Sequence, residues 1–284
     1  MNYKKYVRAV QLWLGLILLV TQSYAGGISV DAGLTPAENR WIVRVQARQM
    51  SMSSQNILPA VSMKTNATVV MAAYGLRPNV TLIGMQAWMN RDMVMMGNSQ
   101  VSSGFADLNL LLKYLVYRNN SRTSTLGVAA TTKLTLPTGD DSISDEYWSL
   151  TPGLYLSYRL DTWAFDASTT YRIQSLFNDS EIELERGWEF NVDAALARQY
   201  SVGSFRNVAI APVLESNLLV RRADYAVGDS SPGKSSLLFL SPGLKWTYNS
   251  LILEGLVQIP VWEDLPEGSL QNDLRGQLGL RFMF

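Results

Sequence analysis

Cysteine and histidine are both absent from this 284-residue chain. Their absence excludes a disulfide framework, a thiolate nucleophile, a zinc site of His/Cys type and any catalytic triad built on an imidazole base. Charge is scarce as well. Charged residues make up 17% of the chain against 47% hydrophobic, and 24 cationic side chains balance 24 anionic ones. That composition is apolar for a soluble protein and too polar for a bundle of membrane helices. Beyond residue 25 no stretch holds the roughly 18 uninterrupted apolar residues of a transmembrane helix.

The first 25 residues read as a cleaved secretory signal. Lys4, Lys5 and Arg8 form a positive start, an apolar run covers Ala9 to Val20, and Ser23-Tyr24-Ala25 offers a small-x-small cleavage site before Gly26. Loss of those three cations leaves 21 against 24 anions, so the remainder is slightly acidic and lacks the basic surface of a nucleic-acid binder. Residues 26–38, with Gly26, Gly27, Gly33 and Pro36, carry no strong period and are assigned to an N-terminal periplasmic segment. Their composition leaves open whether they plug the barrel or trail from it.

From residue 39 onward the sequence alternates with period two. Trp41, Val43, Val45 and Ala47 share one face of an extended segment, and Ile42, Arg44, Gln46 and Arg48 the other. The pattern returns in twelve segments: 39–49, 67–76, 79–89, 104–117, 124–136, 147–159, 163–175, 186–199, 206–220, 236–248, 251–262 and 272–284. Each is long enough for a tilted strand to cross a bilayer. Short connections at 77–78, 160–162 and 249–250, and those of about half a dozen residues at 118–123 and 200–205, alternate with longer ones at 50–66, 90–103, 137–146, 176–185, 221–235 and 263–271. The long set holds a cluster of acids: Asp140, Asp141, Asp145, Glu146, Asp179, Glu181, Glu183, Asp224, Asp229, Glu263, Asp264 and Glu267. Tryptophans gather near strand ends, as in aromatic girdles, and the last strand closes on Phe284. The reading is an all-β, transmembrane antiparallel up-and-down β-barrel of about 12 strands over 39–284, in the outer membrane of a Gram-negative cell. A secreted sandwich alternates in the same way, but its solvent face would carry more charge than the Ser, Thr, Gly and Asn found here. Pro152, Pro212, Pro242 and Pro260 fall inside strands, where a closed barrel has no free edge, so bulges are expected at Pro152-Gly153 and Pro242-Gly243.

The inward faces supply the candidate pore-lining residues: Arg44, Arg48, Asp107, Lys113, Lys133, Arg159, Asp166, Arg172, Glu189, Asp193, Glu215, Lys245, Glu254, Arg275 and Arg281. With both signs present, they make either a polar path with a transverse field or a set of salt bridges that fills the barrel. Strands 2 and 3 have no clearly polar face, so part of the wall is expected to be apolar, against a hydrophobic solute or an infolded loop. Nine of the eleven methionines lie between Met50 and Met96. Thioethers can take Cu(I) or Ag(I), but adaptable filling explains them better without Cys or His. The acidic loops offer oxygens to Ca²⁺ or Mg²⁺ bridging lipopolysaccharide, with no spacing that defines a metal site. No catalytic residue and no cofactor is assigned. The expected partners are outer-membrane lipid and lipopolysaccharide, the barrel assembly machinery through Phe284, and a small-molecule solute; nucleic acid is not among them.

Several stretches resemble the outer-membrane family named for the meta pathway of phenol degradation. They are Ala73-Tyr74-Gly75-Leu76, Gly104-Phe105-Ala106-Asp107, Lys133-Leu134-Thr135-Leu136-Pro137-Thr138-Gly139-Asp140, Ser241-Pro242-Gly243-Leu244, Val257-Gln258-Ile259-Pro260-Val261 and Leu280-Arg281-Phe282-Met283-Phe284. The resemblance implies a barrel of transporter or channel type, passing small aromatic or other hydrophobic compounds. Two other functions compete: a closed barrel acting in adhesion through its acidic loops, and an outer-membrane enzyme, which the missing histidine disfavours.

Overall fold

A computed structural model describes residues 26–54, 61–144, 147–174, 184–185, 187–202, 208–222, 225–226 and 233–284. The expected leader and the acids Asp145, Glu146, Asp179, Glu181, Glu183, Asp224 and Asp229 lie outside these residues. Twelve strands form the wall: β1 (Trp41–Ser53), β2 (Val61–Arg77), β3 (Val80–Met95), β4 (Asn98–Phe105, continued as Leu108–Asn120), β5 (Ser124–Leu136), β6 (Ser149–Leu160), β7 (Trp163–Gln174), β8 (Trp188–Arg198), β9 (Val208–Arg222), β10 (Lys234–Tyr248), β11 (Leu251–Asp264) and β12 (Arg275–Met283). Each pairs antiparallel with the next, and β12 returns to β1 with Val43 opposite Phe282 and Ala47 opposite Leu278. Backbone bonds between Trp41 and Phe284 in both directions, 2.8 and 3.0 Å, complete the seam. The sheet is closed, so every strand has two neighbours and no edge is left for lipid to meet.

Burial is inverted relative to a soluble protein. Val45, Val70, Leu112, Leu154, Leu196, Leu244, Leu253 and Leu278 are exposed, while Arg44, Asp166, Glu215, Lys245 and Glu254 are buried. Period-two alternation on a closed sheet produces this, with one face outward to hydrocarbon and the other to the lumen. Aromatic residues band both ends of the outer face. Trp41 with Tyr74 (4.6 Å) and Phe282 with Phe284 (5.5 Å) lie at the short-turn end; Trp88 with Phe105 (4.8 Å) and Trp188 with Tyr171 (6.0 Å) lie toward the long connections.

Two expected loops are partly strand. β1 and β2 extend to Ser53 and from Val61, and the stretch expected as a loop over 90–103 is a hairpin turning at Met96-Gly97. Both turn residues have positive φ, 54° and 81°, so glycine at the second position avoids strain.

The bulges expected at two prolines are absent. Register runs unchanged through Pro152 and Pro242, and the ladder only omits pairs: Leu150 faces Ile173 and the next pair is Gly153 with Thr170, while Leu240 faces Ile259 and the next is Gly243 with Leu256. Pro212 sits in a similar gap between the β8 pairing at Val213 and the Tyr200–Ile210 pair. Each of these prolines keeps its pairing to the strand on its other side, so one missing N–H costs one local stretch of ladder. Around Pro260 the register does shift, between Leu238 and Phe239 of the partner strand.

Candidate functional site: the occupied lumen

The residues that decide the lumen's state precede the first strand. Gly26–Leu34, whose composition leaves a plug and a trailing tail equally open, lies inside the barrel, with Ile28 and Val30 buried. The physical reason lies in its exposed backbone. A segment without secondary structure must have its N–H and C=O groups satisfied, and charged side chains of the wall do this one by one. Gly27 N–H donates to Asp166 Oδ2 at 2.8 Å, Ile28 N–H to Glu215, and Ser29 N–H to Glu215 Oε2 at 3.0 Å. Gly33 N–H donates to Ser157 Oγ at 2.8 Å. In the other direction Lys245 Nζ donates to the carbonyls of Gly26 and, at 2.6 Å, Gly27; Arg44 donates to Ile28 O; Lys113 Nζ donates to Ala32 O at 2.6 Å. The wall's glycines make room for this approach. A Cβ on Gly127 would meet Leu34 Cδ2 at 2.5 Å, and one on Gly243 would meet Ile28 Cδ1 at 2.8 Å.

Most of the expected lumen charges take part. Glu254, with a fully buried side chain, receives both Arg44 and, at 3.1 Å, Arg281. These two arginines face one another across the β12–β1 seam, and the carboxylate between them removes a like-charge repulsion. Gly279 leaves the space for it, since a Cβ there would lie 2.8 Å from Glu254 Oε1. Arg159 pairs with Asp166 at 2.8 Å, and Ser157 bonds the same carboxylate. Lys113 also sits 5.3 Å from the centre of the Tyr155 ring, whose hydroxyl donates to Asp31 at 3.3 Å. On β8–β11, Asn217 donates to Asp193 at 3.0 Å and accepts from Ser241 and Gln258.

Most of the other candidates have local partners. Asp107 accepts from Gly139 N–H at 3.0 Å and Ser144 Oγ at 2.6 Å, tying a long connection to the break in β4. Arg48 donates to Gln46 at 2.6 Å, Arg172 to Ser149 at 3.2 Å, and Glu189 accepts from Asn191 at 3.0 Å. Arg275 donates to Asn272 and lies 4.3 Å over the ring of Phe239. Lys133 is half-buried on β5. Asp140, from a long connection, and Glu263, which the structure places at the end of β11, accept backbone N–H groups of Phe105 and Asn272. Among the described residues no group of three acids, histidines or cysteines is placed to hold a metal ion.

Two apolar patches line the interior. Ala73, Ile83, Leu111 and Tyr155 form one, with Met71 and Met85 packed against it, so the weakly polar faces of β2 and β3 make an apolar wall. Ala164, Ala197, Ala211, Val213 and Leu256 form the other, around Ile28. Composition hides Ile28, Ser29 and Asp31 as lumen residues. Their one sequence signal is an apolar pair, Ile28 and Val30, set in a polar glycine-rich stretch. A separate hollow of about 840 Å³ lies against the outer face, between Trp88, Leu244, Val257 and Leu278.

A closed barrel of even strand number, apolar outside and polar inside, is an outer-membrane β-barrel. The chain belongs to the family described as the putative MetA-pathway of phenol degradation, whose model matches residues 20–253. Among solved structures it is similar to an outer-membrane channel from Pseudomonas putida F1, at 15% identity and a TM-score of 0.63, covering 92% of this chain and 100% of that one. It is also similar to the β domain of the Bordetella autotransporter BrkA, at 10% identity and a TM-score of 0.51, covering 88% and 100%. No curated protein matches the sequence.

Proposed function

We propose that this protein is a gated outer-membrane channel for small molecules, closed by its own Gly26–Leu34 segment. The observation that carries the reading is the bonding of that segment. Its backbone is held by side chains of at least five different strands, through hydrogen bonds and not through covalent or continuous sheet contacts. Such a segment can leave as a unit: Arg44 and Asp166 keep Glu254 and Arg159 as partners on the wall, while Glu215, Lys113 and Lys245 pass to entering water. Once it leaves, Arg44, Lys113, Arg159, Asp166, Lys245 and Glu254 line a wet passage in which the Arg44–Glu254 and Arg159–Asp166 pairs stay in place. The similarity to a channel and the family's name support this function, and the apolar patches suit solutes with a hydrophobic part.

The test is single-channel conductance in a planar bilayer, with a lock on the segment. Ser29 Oγ lies 3.5 Å from Asn217 Nδ2, and the chain has no native cysteine, so Ser29→Cys with Asn217→Cys gives a clean cross-link pair. Openings that vanish on oxidation and return with reductant are expected. A folded wild-type protein that is silent with and without aromatic acids and phenols, together with a double-cysteine variant that stays silent when reduced, would overturn the channel in favour of a closed barrel acting through its external loops.

A further inference from the structure

One residue of the segment is bound differently from its neighbours. The wall contacts all three groups that Ile28 carries on its Cα. Its N–H donates to Glu215 of β9, and its carbonyl accepts from Arg44 of β1. Its side chain is fully buried among Ala164, Ala197, Ala211, Val213 and Leu256, from β7, β8, β9 and β11. Gly243 of β10 is what leaves space for the end of that side chain. Lys245 bonds the carbonyls of Gly26 and Gly27, on the N-terminal side of Ile28.

A peptide residue uses this arrangement poorly. Its N–H and C=O are neutral, yet they face a buried carboxylate and a buried guanidinium. A free amino acid has an ammonium and a carboxylate at the same two places, so each of these charge–dipole bonds would become an ion pair between full charges. We propose that the lumen carries a binding subsite for free L-α-amino acids with a branched aliphatic side chain, and that Ile28 occupies it in the closed state. The α-ammonium sits on Glu215, the α-carboxylate faces Arg44, and the side chain enters the alanine-lined pocket. This deepens the channel reading and rests on it, because the ligand takes the place of the segment. Pocket size sets the selectivity: three alanines, a valine and a leucine close around an isoleucine, so tryptophan is too large and alanine fills too little. A hydrophobic acid without an amine leaves Glu215 buried and unpaired, which is the costlier mismatch.

The experiment uses the full-length refolded barrel carrying Ile28→Ser, which empties the apolar pocket. Equilibrium dialysis with labelled L-isoleucine measures binding, and bilayer conductance of the same protein reports whether the segment has left. Saturable binding is expected, with D-isoleucine, N-acetyl-L-isoleucine and L-alanine each weaker by about tenfold or more. Adding Glu215→Gln should produce a similar loss while the heat-shifted gel mobility shows an intact barrel. N-acetyl-L-isoleucine binding as well as L-isoleucine would overturn the assignment, and so would absence of saturable binding at any conductance. Saturable, stereospecific binding without a rise in conductance would support the subsite and count against gating by the segment. A rise in conductance without binding would do the reverse.

Discussion

Glu254 is the residue on which the seam depends. It is 1% exposed and holds two arginines that β1 and β12 set directly opposite one another. Removing one member of a buried ionic group leaves uncompensated charge at a cost of about 3–5 kcal/mol. Glu254→Ala should therefore lower the temperature at which the folded form is lost on gels, and more than Glu189→Ala, whose partner is a half-exposed asparagine. Asp166 has a double role, holding Arg159 on the wall and Gly27 on the segment. Asp166→Asn should raise open probability in bilayers while the barrel remains heat-modifiable; unchanged gating would remove Asp166 from the closing contacts. At this scale the sequence shows which side chains face inward, since period-two alternation assigns each charge to a face. It does not show pairing. Arg44 and Glu254 are 210 positions apart, and only closure of the sheet brings them together.

Among the elements, the short N-terminal segment depends on glycines elsewhere in the wall. Leu34 passes over Gly127 of β5, and Ala37 over Gly75 of β2. Gly127→Val suits a strand by propensity but places a methyl group where Leu34 lies. The barrel should refold with ordinary heat resistance, while conductance rises because the segment no longer seats. An unchanged current would show that Leu34 does not hold it. The strands themselves were legible from alternation, in number and near position. Their ends were less so. The residues of β1, β2, β3 and β4 beyond the bilayer are polar or methionine-rich, so they lose the contrast between faces that marks a strand, yet they still pair. The prolines misled for a related reason. A missing N–H predicts a disturbance in the ladder, but not whether that disturbance changes register or only leaves pairs unmade.

At the level of the whole molecule, closure is the stabilising event. Deleting β12 would leave β1 and β11 each with an unpaired edge in hydrocarbon, where every unsatisfied backbone group costs several kcal/mol. A chain ending before Arg275 should yield no heat-modifiable species on a gel, whereas Phe284→Ala should still fold when refolded in detergent. The sequence by itself determined the class of architecture: a polar/apolar alternation with no long apolar run permits a membrane barrel and forbids a helical bundle, and alternation is a local property that needs no partner to be read. The tertiary structure alone decided what occupies the lumen. That depends on nine residues without a period of their own, Gly26–Leu34, whose conformation is set by side chains scattered over the wall. Their backbone bonds to Asp166, Glu215, Arg44, Lys113 and Lys245 exist only after the sheet has closed around them, so no local pattern in the sequence could announce them.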